Sequence, residues 1–489
     1  MFNSEKKVTD EKKSVNDNVP KDVERLGGLS TVVSASSGSD NLEGELVVDA
    51  VWGTLEEGAP SYRSLGWMRA SVLLVKVQIG LGVLSIPAAL DSLGYVPAIL
   101  LIIAACAIIS WANYIVGVFK LHHPEVYTLA DVGQIMFGPI GREIFGFFYW
   151  IQLVAVAGAG LIACSVAFNA MSEHGACTIV FVVIAAIINI LVSSIQTLHK
   201  ISWMGWVGLI CILSSIITLT IAVGVQDRPS AAPQTGLWDK DIKVINNPGF
   251  ISGIATMSNI FFSFAGTPGF FNVIAEMKNP KDYNKAMSTC MVFVLAVYLI
   301  LGCTIYHFCG QYIASPALGS AGPLMKKVTY GLALPGLIMS CVLNTHLPAK
   351  YVFVRVMRNS RHLSANTVTH RVAWLACVFG SCAVSFVIAE GIPVFSDLIS
   401  LIGALIATPN CIVFEGMMFI YDLRVNPEKY PNRQKWWHKL MQTMNWAVMI
   451  GFGLFATVAG TYAAAITIKN DAASGASSGS FSCADNSSS

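Results

Sequence analysis

The sequence predicts an all-α polytopic membrane protein with eleven transmembrane helices, the first and the sixth of them broken. Three observations carry that prediction. Of 489 residues, 54% are hydrophobic and only 12% are charged, against about 25% charged in soluble domains. So few charges cannot coat a water-soluble core of this size. From Met68 onward the chain is a succession of apolar runs, most of them near the ~20 residues that a bilayer-spanning helix needs. Two runs are interrupted at similar depth by Gly and Pro. The composition excludes an ordinary cytosolic enzyme, a nucleic-acid binder and a disordered scaffold. A net charge of +2 suggests no polyanionic partner.

Residues 1–64 precede the apolar region. They are rich in Asp, Glu, Ser and Gly, as in Ser34-Ala-Ser-Ser-Gly-Ser-Asp40. Too little apolar surface is present there to offset the entropy of ordering, so a disordered, mildly acidic cytosolic tail is expected. Its start has no apolar stretch of the kind a signal peptide carries. Lys6, Lys7, Lys12, Lys13 and Lys21 offer ubiquitination sites for trafficking machinery.

The apolar runs fall at 69–90, 94–119, 144–171, 177–196, 203–225, 250–276, 285–310, 328–354, 371–390, 394–421 and 444–468. The first two are separated only by Asp91-Ser-Leu-Gly94, and the ninth and tenth by Glu390-Gly-Ile-Pro393. Each pair is too long for one span, and the Gly and Pro punctuation predicts a tight turn. Helices therefore occupy 65–470, and 471–489 form a short C-terminal tail.

Lys/Arg bias orients the spans. With the N-terminus in the cytosol, the cytosolic side gains Lys278, Lys281, Lys285, Arg355, Arg358, Arg361, Arg371, Arg424, Lys429, Arg433, Lys435 and Lys439, while the other side keeps Arg228, Lys240, Lys243, Lys326, Lys327 and Lys469. The C-terminal tail is then extracytosolic. There Asn486-Ser-Ser is a glycosylation sequon. Cys177 and Cys483 are the two cysteines expected in an oxidising compartment, as a disulfide or as two free thiols.

The first run reads Lys76-Val-Gln-Ile-Gly80-Leu-Gly82-Val-Leu-Ser85-Ile-Pro87. The sixth reads Phe261-Phe-Ser263-Phe-Ala-Gly266-Thr267-Pro268-Gly269. Unwound backbone in hydrocarbon leaves N–H and C=O groups whose desolvation costs several kcal/mol each unless a ligand, ion or water meets them. Freed N–H groups favour a carboxylate, and freed carbonyls favour an ammonium or a cation. Breaks at corresponding places in two halves point to an inverted-repeat transporter.

Gly80-Leu-Gly82-Val-Leu-Ser85-Ile-Pro87 resembles the first-helix motif of the amino acid/auxin permease family. Phe262-Ser-Phe-Ala-Gly266 through Glu276-Met-Lys-Asn-Pro280-Lys-Asp-Tyr283 is similar to that family's sixth-helix signature, with Thr267 where His is common. Ser315-Pro-Ala-Leu-Gly-Ser-Ala-Gly322-Pro323-Leu and Ser396-Asp397-Leu398 look closer still to fungal neutral amino acid permeases. The resemblance spans roughly 62–470. It implies eleven helices, ten of them in a five-plus-five inverted repeat plus one extra, and proton-coupled uptake of neutral amino acids.

The expected main-chain site is Gly80, Leu81 and Gly82 with Ser263, Phe264, Ala265, Gly266 and Thr267. A zwitterion's carboxylate would meet the first break and its ammonium the second. Phe262, Phe264 and Phe271 are available to an apolar pocket or to packing. Lys76 lies about 10 Å inside its helix at 1.5 Å per residue. It either snorkels to the headgroups or places an ammonium where sodium-dependent relatives hold a cation, and so becomes a candidate proton carrier. Glu276 reads as a cytosolic gate ion pair or a proton relay. Asn344 and Thr345 could line a cation or proton pocket. Glu415 stands where the family usually has Pro, and no role follows for it. Glu390 is expected to be solvated in a turn. His307 and His346 are expected to bond to neighbouring helices. His122 and His123 lack the spaced partners of a metal site.

Secondary transport of neutral amino acids with protons is the leading reading. A transporter-fold amino acid sensor and a vacuolar exporter are alternatives. A channel would need repeated pore elements, and a membrane enzyme would need an acid/base or metal cluster. No cofactor, metal or nucleic-acid partner is expected. The expected partners are the amino acid, protons and the bilayer, in the plasma membrane or, alternatively, the vacuolar membrane.

Overall fold

The computed structural model describes residues 65–195, 198–229, 231–357, 367–430, 435–474 and 479–487, with three short strands before them. Those strands, β1 (Leu29–Val32), β2 (Leu46–Asp49) and β3 (Gly53–Leu55), pair as an antiparallel meander. The rest of segment 1–64, including its five lysines, lies outside the described residues, as do Arg358, Arg361 and Arg433.

The helical part runs α1 (Trp67–Gln78), α2 (Ile86–Leu93), α3 (Tyr95–His122), α4 (Leu129–Ser172), α5 (Thr178–Ser193), α6 (Leu198–Val225), α7 (Gly249–Ser263), α8 (Phe270–Ala275) and α9 (Tyr283–Cys309). It continues with α10 (Pro323–Val356), α11 (Val368–Gly391), α12 (Phe395–Ile402), α13 (Phe414–Val425), α14 (Trp436–Met444) and α15 (Gly453–Ser474). Among the described residues, nine helices are long and apolar enough to cross a membrane, or ten when the pair joined at the first break, bent by 51°, is taken as one span. The fourth expected run forms α5, a shorter apolar helix of 16 residues.

Apolar side chains cover both the interior and the perimeter of these helices. Phe264, Phe270, Tyr298 and Ile305 are fully buried, while Leu100, Ile140, Val292 and Val458 point outward, more than 60% exposed. That pattern suits a hydrocarbon solvent. The most extensive packing is of α10, which lies along α4 on one side and α6 on another.

Local chemistry sets the element ends. Gly94 turns the chain from α2 into α3 at φ 84°, and a Cβ there would meet the backbone of Lys243 and Asn246. Only glycine enters such a turn without strain. The third run is longer than the sequence implied because α4 begins fifteen residues earlier, at Leu129, with a Thr128–Asp131 capping box. It then kinks at Gly138 (φ 68°) and Pro139. The tenth run is not one regular helix. Between α12 and α13 the turns widen into two π-helical stretches, Gly403–Ala407 and Pro409–Val413, around a proline that has no N–H to donate.

At the face opposite the start of α1, Cys177 and Cys483 form a disulfide with Cα atoms 4.5 Å apart. The C-terminal residues fold back under it. Thr178 donates to the Ala484 carbonyl, and Lys326 to that of Ser487, both at 2.6 Å. The Asn486 side chain is 5% exposed, accepts from Asn169 at 2.7 Å and donates to Ser165 at 2.9 Å. A glycan on that amide nitrogen has no room in this arrangement.

Candidate functional site at two crossed helix breaks

Both apolar spans break where the sequence carries Gly and Pro. After α1 the chain leaves helical geometry at Ile79 and Gly80, then resumes through a 3₁₀ turn at Leu81–Ser85. After α7 it loosens at Phe264–Gly266 and re-forms through the 3₁₀ turn Thr267–Gly269 into α8. The two breaks touch. A Cβ on Gly82 would overlap the Ser263 backbone, whereas one on Gly80 would meet nothing within 4 Å.

Polar groups hold the crossing. Ser85 and Ser263 hydroxyls each reach the Gly82 carbonyl at 2.8 Å. The Tyr298 hydroxyl donates to the Ser263 carbonyl at 2.7 Å, and Gln152 donates to the Ala265 carbonyl at 3.0 Å. The carbonyls released by the second break are thus partly taken by α4 and α9. The Gln78 amide is buried beside Gly266 and has no hydrogen-bond partner among the described residues. Asn272 Oδ1 is likewise unpartnered.

A cavity of about 770 Å³ runs from this crossing to the face from which α1 starts. Gly80, Leu81, Gly82, Ser263, Ala265 and Gly266 line its deep end, with Gln78 and Gln152. Val77, Leu153, Val156 and Phe262 give the wall near the crossing an apolar character, and Leu73 lines it nearer the mouth. Charge collects at the mouth: Glu125, Asp131, Arg142, Glu276, Lys350 and Arg355. Most of these groups are paired or capping. Asp131 caps α4, Arg355 pairs with Glu143, and the Glu276 carboxyl feels the Lys350 ammonium. Burial, with Glu276 nearby, pushes the Tyr127 hydroxyl in the α3–α4 loop up to about 12.

The expected residues separate into wall and packing. Phe264 is fully buried with its ring 5.0 Å from Tyr298, and Thr267 is fully buried as well; neither lines the cavity. Phe264 caps the end of α7 and Thr267 opens the 3₁₀ turn, and both turn inward to the packed side. Lys76 lines the cavity and points across it to α6, where a Cβ on Gly205 would collide with its ammonium. Asn344 also lines the cavity and donates back to the Ser340 carbonyl at 2.8 Å. Thr345 faces the other way and accepts from Asn189 at 2.8 Å.

Elsewhere, His346 bonds to the Ser193 carbonyl and stacks edge-on against Trp374. Glu390 is 4% exposed rather than solvated, as Ile392 holds the following turn against the core. His122 and His123 are held by an acid rather than by a metal-ligand set. Both converge on Asp422, which also accepts from Tyr430 and Asn426. No group of three metal-ligating side chains occurs among the described residues. Sequence reading missed Gln78, Gln152, Asn272 and Asn410. Gln78 carried a visible signal, a second polar residue in the stretch that already holds Lys76; the others depend on helix rotation.

The family model described as "Transmembrane amino acid transporter protein" matches residues 63–463. The chain belongs to this family. A "Transmembrane transporter" of Gibberella moniliformis is 37% identical over 426 residues, covering 87% of this chain and 89% of that relative. The "N amino acid transport system protein" of Neurospora crassa is 31% identical over 435 residues, covering 88% and 90%. Among solved structures, a Na+-coupled sialic acid symporter in a substrate-bound outward-open state matches with TM-score 0.51 at 13% identity, over 84% of this chain and 90% of its own. Mhp1, a nucleobase-cation-symport-1 family transporter in a closed conformation, matches with TM-score 0.51 at 14% identity, over 85% and 95%. Those two likenesses place the family member in a shared transporter fold.

Proposed function

We propose that the protein is a secondary transporter that moves neutral amino acids across a membrane with protons, by alternating access around the two crossed breaks. The observation that carries this reading is the meeting of both breaks at the blind end of one cavity. The backbone N–H groups where α1 leaves helical geometry at Gly80–Gly82 suit a carboxylate, and the loosened carbonyls at Ser263–Gly266 suit an ammonium. Gln78, whose amide is unpartnered, supplies a further polar contact. The apolar deep wall favours a neutral side chain. Charged wall residues stand near the mouth, and Lys76 is the exception at mid-depth.

The Lys76 ammonium, seated between α1 and α6, takes the position of a bound cation and argues for protons over sodium. The Cys177–Cys483 disulfide supports a cytosolic N-terminus, because it lies on the face opposite α1's start and disulfides persist outside the cytosol. The cavity then opens to the cytosol. With α5 as a short span the count is eleven, and we place the protein in the plasma membrane.

The test is uptake of a panel of radiolabelled amino acids into proteoliposomes holding the full chain, with and without a pH gradient and sodium. Saturable, gradient-driven, sodium-independent uptake of neutral amino acids is expected. Binding without flux would indicate a sensor, and sodium-driven uptake would overturn the assignment of Lys76.

A further inference from the structure

We infer that Glu415 is the side chain that binds and releases the transported proton. The inference deepens the proton-coupled reading above and rests on it. Glu415 lies in the first turn of α13 and is fully buried, and among the described residues neither carboxyl oxygen has a hydrogen-bond partner. An ionised carboxylate in such a place, with no cation beside it, carries a heavy desolvation penalty. The neutral acid is the species this conformation accepts. Ionisable groups buried in a membrane interior without a structural partner mark proton and ion pathways.

The surroundings connect that carboxyl to the substrate cavity. Cys411, one turn before Glu415, interacts with it and faces Thr267 and Gln152. Asn410 donates to Gln152 Oε1 at 2.6 Å, and Gln152 in turn holds the Ala265 carbonyl at the second break. Gln152 lines the cavity. A polar chain therefore leads from α13 to the site, one layer of side chains deep. Thr267 Oγ1 is buried beside Cys411, and Asn410 Oδ1 is buried without a partner among the described residues, so acceptors for a moving proton are already in place. The π-helical turns at Gly403–Ala407 and Pro409–Val413 sit immediately before Glu415; such turns are concentrated at functional sites.

Other ionisable groups on the elements around α13 are committed elsewhere. On α3, Lys120 binds the Pro124 and Val126 carbonyls, His122 binds Asp422, and Cys106 contacts Ser110. On α4, Arg142 and Glu143 lie together at the cavity mouth beside Arg355, and the Tyr149 ring packs on Tyr351. The π-helical stretch Asn445–Phe452 has no ionisable side chain. Cys411 is a titratable side chain that does interact with Glu415.

The step is a simple exchange. When the breaks rearrange and water reaches α13, the carboxyl O–H bond breaks, the proton passes to water, and a carboxylate is left. Reprotonation from the opposite side reverses it.

The test compares the full-length wild type with E415Q and E415D in proteoliposomes. It measures concentrative uptake of a transported amino acid under a pH gradient, and counterflow at equal pH on both sides. E415Q should lose gradient-driven accumulation down to the level of empty liposomes, while its counterflow continues with no dependence on pH. E415D should keep gradient-driven uptake with a displaced pH midpoint. An E415Q protein that still accumulates substrate under a pH gradient overturns the assignment. So does one that is as heat-stable as wild type yet has lost counterflow, since Glu415 would then serve substrate binding or structure. If E415Q fails to fold, an unmoved midpoint in E415D overturns it instead. Wild type that shows counterflow but no response to a pH gradient defeats the proton-coupled reading itself, a result distinct from failure of Glu415 alone.

Discussion

Gly82→Ala probes the crossing of the two breaks. The added Cβ would overlap the Ser263 Cα and stand 2.9 Å from both its Cβ and its Oγ. Backbone is the obstacle, so no side-chain rotation relieves it. Forcing one extra methyl into a packed site costs about 1–3 kcal/mol. Separating the strands also weakens the bonds from Ser85 and Ser263 to the Gly82 carbonyl, each worth about 1 kcal/mol net. A total near 2–4 kcal/mol corresponds to a fall of about 30- to 800-fold in the population that holds this geometry, at 1.4 kcal/mol per tenfold. Gly80→Ala is the matched control, because its Cβ enters open space. The assay is counterflow in proteoliposomes beside thermal unfolding in detergent. Gly82→Ala should lose flux steeply and melt earlier, and Gly80→Ala should keep the wild-type melting temperature. Equal effects of the two substitutions would refute the close crossing.

Three further outcomes follow from the same geometry. Gly205→Ala places a methyl where the Lys76 ammonium lies; the far end of a flexible side chain can move, so the fold should survive while the pH dependence of uptake shifts. Cys483→Ser should lower stability by about 2–4 kcal/mol, and dithiothreitol should destabilise wild type to the same extent while leaving the variant unchanged. Asp422→Asn strips a buried acid from two histidines, Tyr430 and Asn426; breaking a buried ionic cluster costs about 3–5 kcal/mol, which denaturant unfolding should register.

The spans and both breaks were legible because helix placement in a membrane depends on local composition and on Gly and Pro. Gly82 and Ser263 could be paired from two stretches of sequence alone. The wall around them was less legible. Phe264 and Thr267 lie within the second break but face away from the cavity, since the loosened turn at Phe264–Gly266 and the 3₁₀ turn after it both depart from the α-helical angle per residue. Gln152 sits inside a long apolar run, and nothing in its neighbours says that its amide reaches the Ala265 carbonyl 113 residues away. Glu415 was visible in the sequence only as a departure from the family's usual Pro, with no role attached. Its missing partners became visible only when α3, α4 and the π-helical turns were packed around it.

The most direct test of the central claim is an experimental density map of the full chain at saturating concentration of a transported neutral amino acid. The account predicts ligand density between Gly80–Gly82 and Ser263–Gly266, with the carboxylate on the first break, the ammonium on the second and the side chain against Leu153 and Phe262. Density elsewhere, or an empty crossing at saturation, would contradict it.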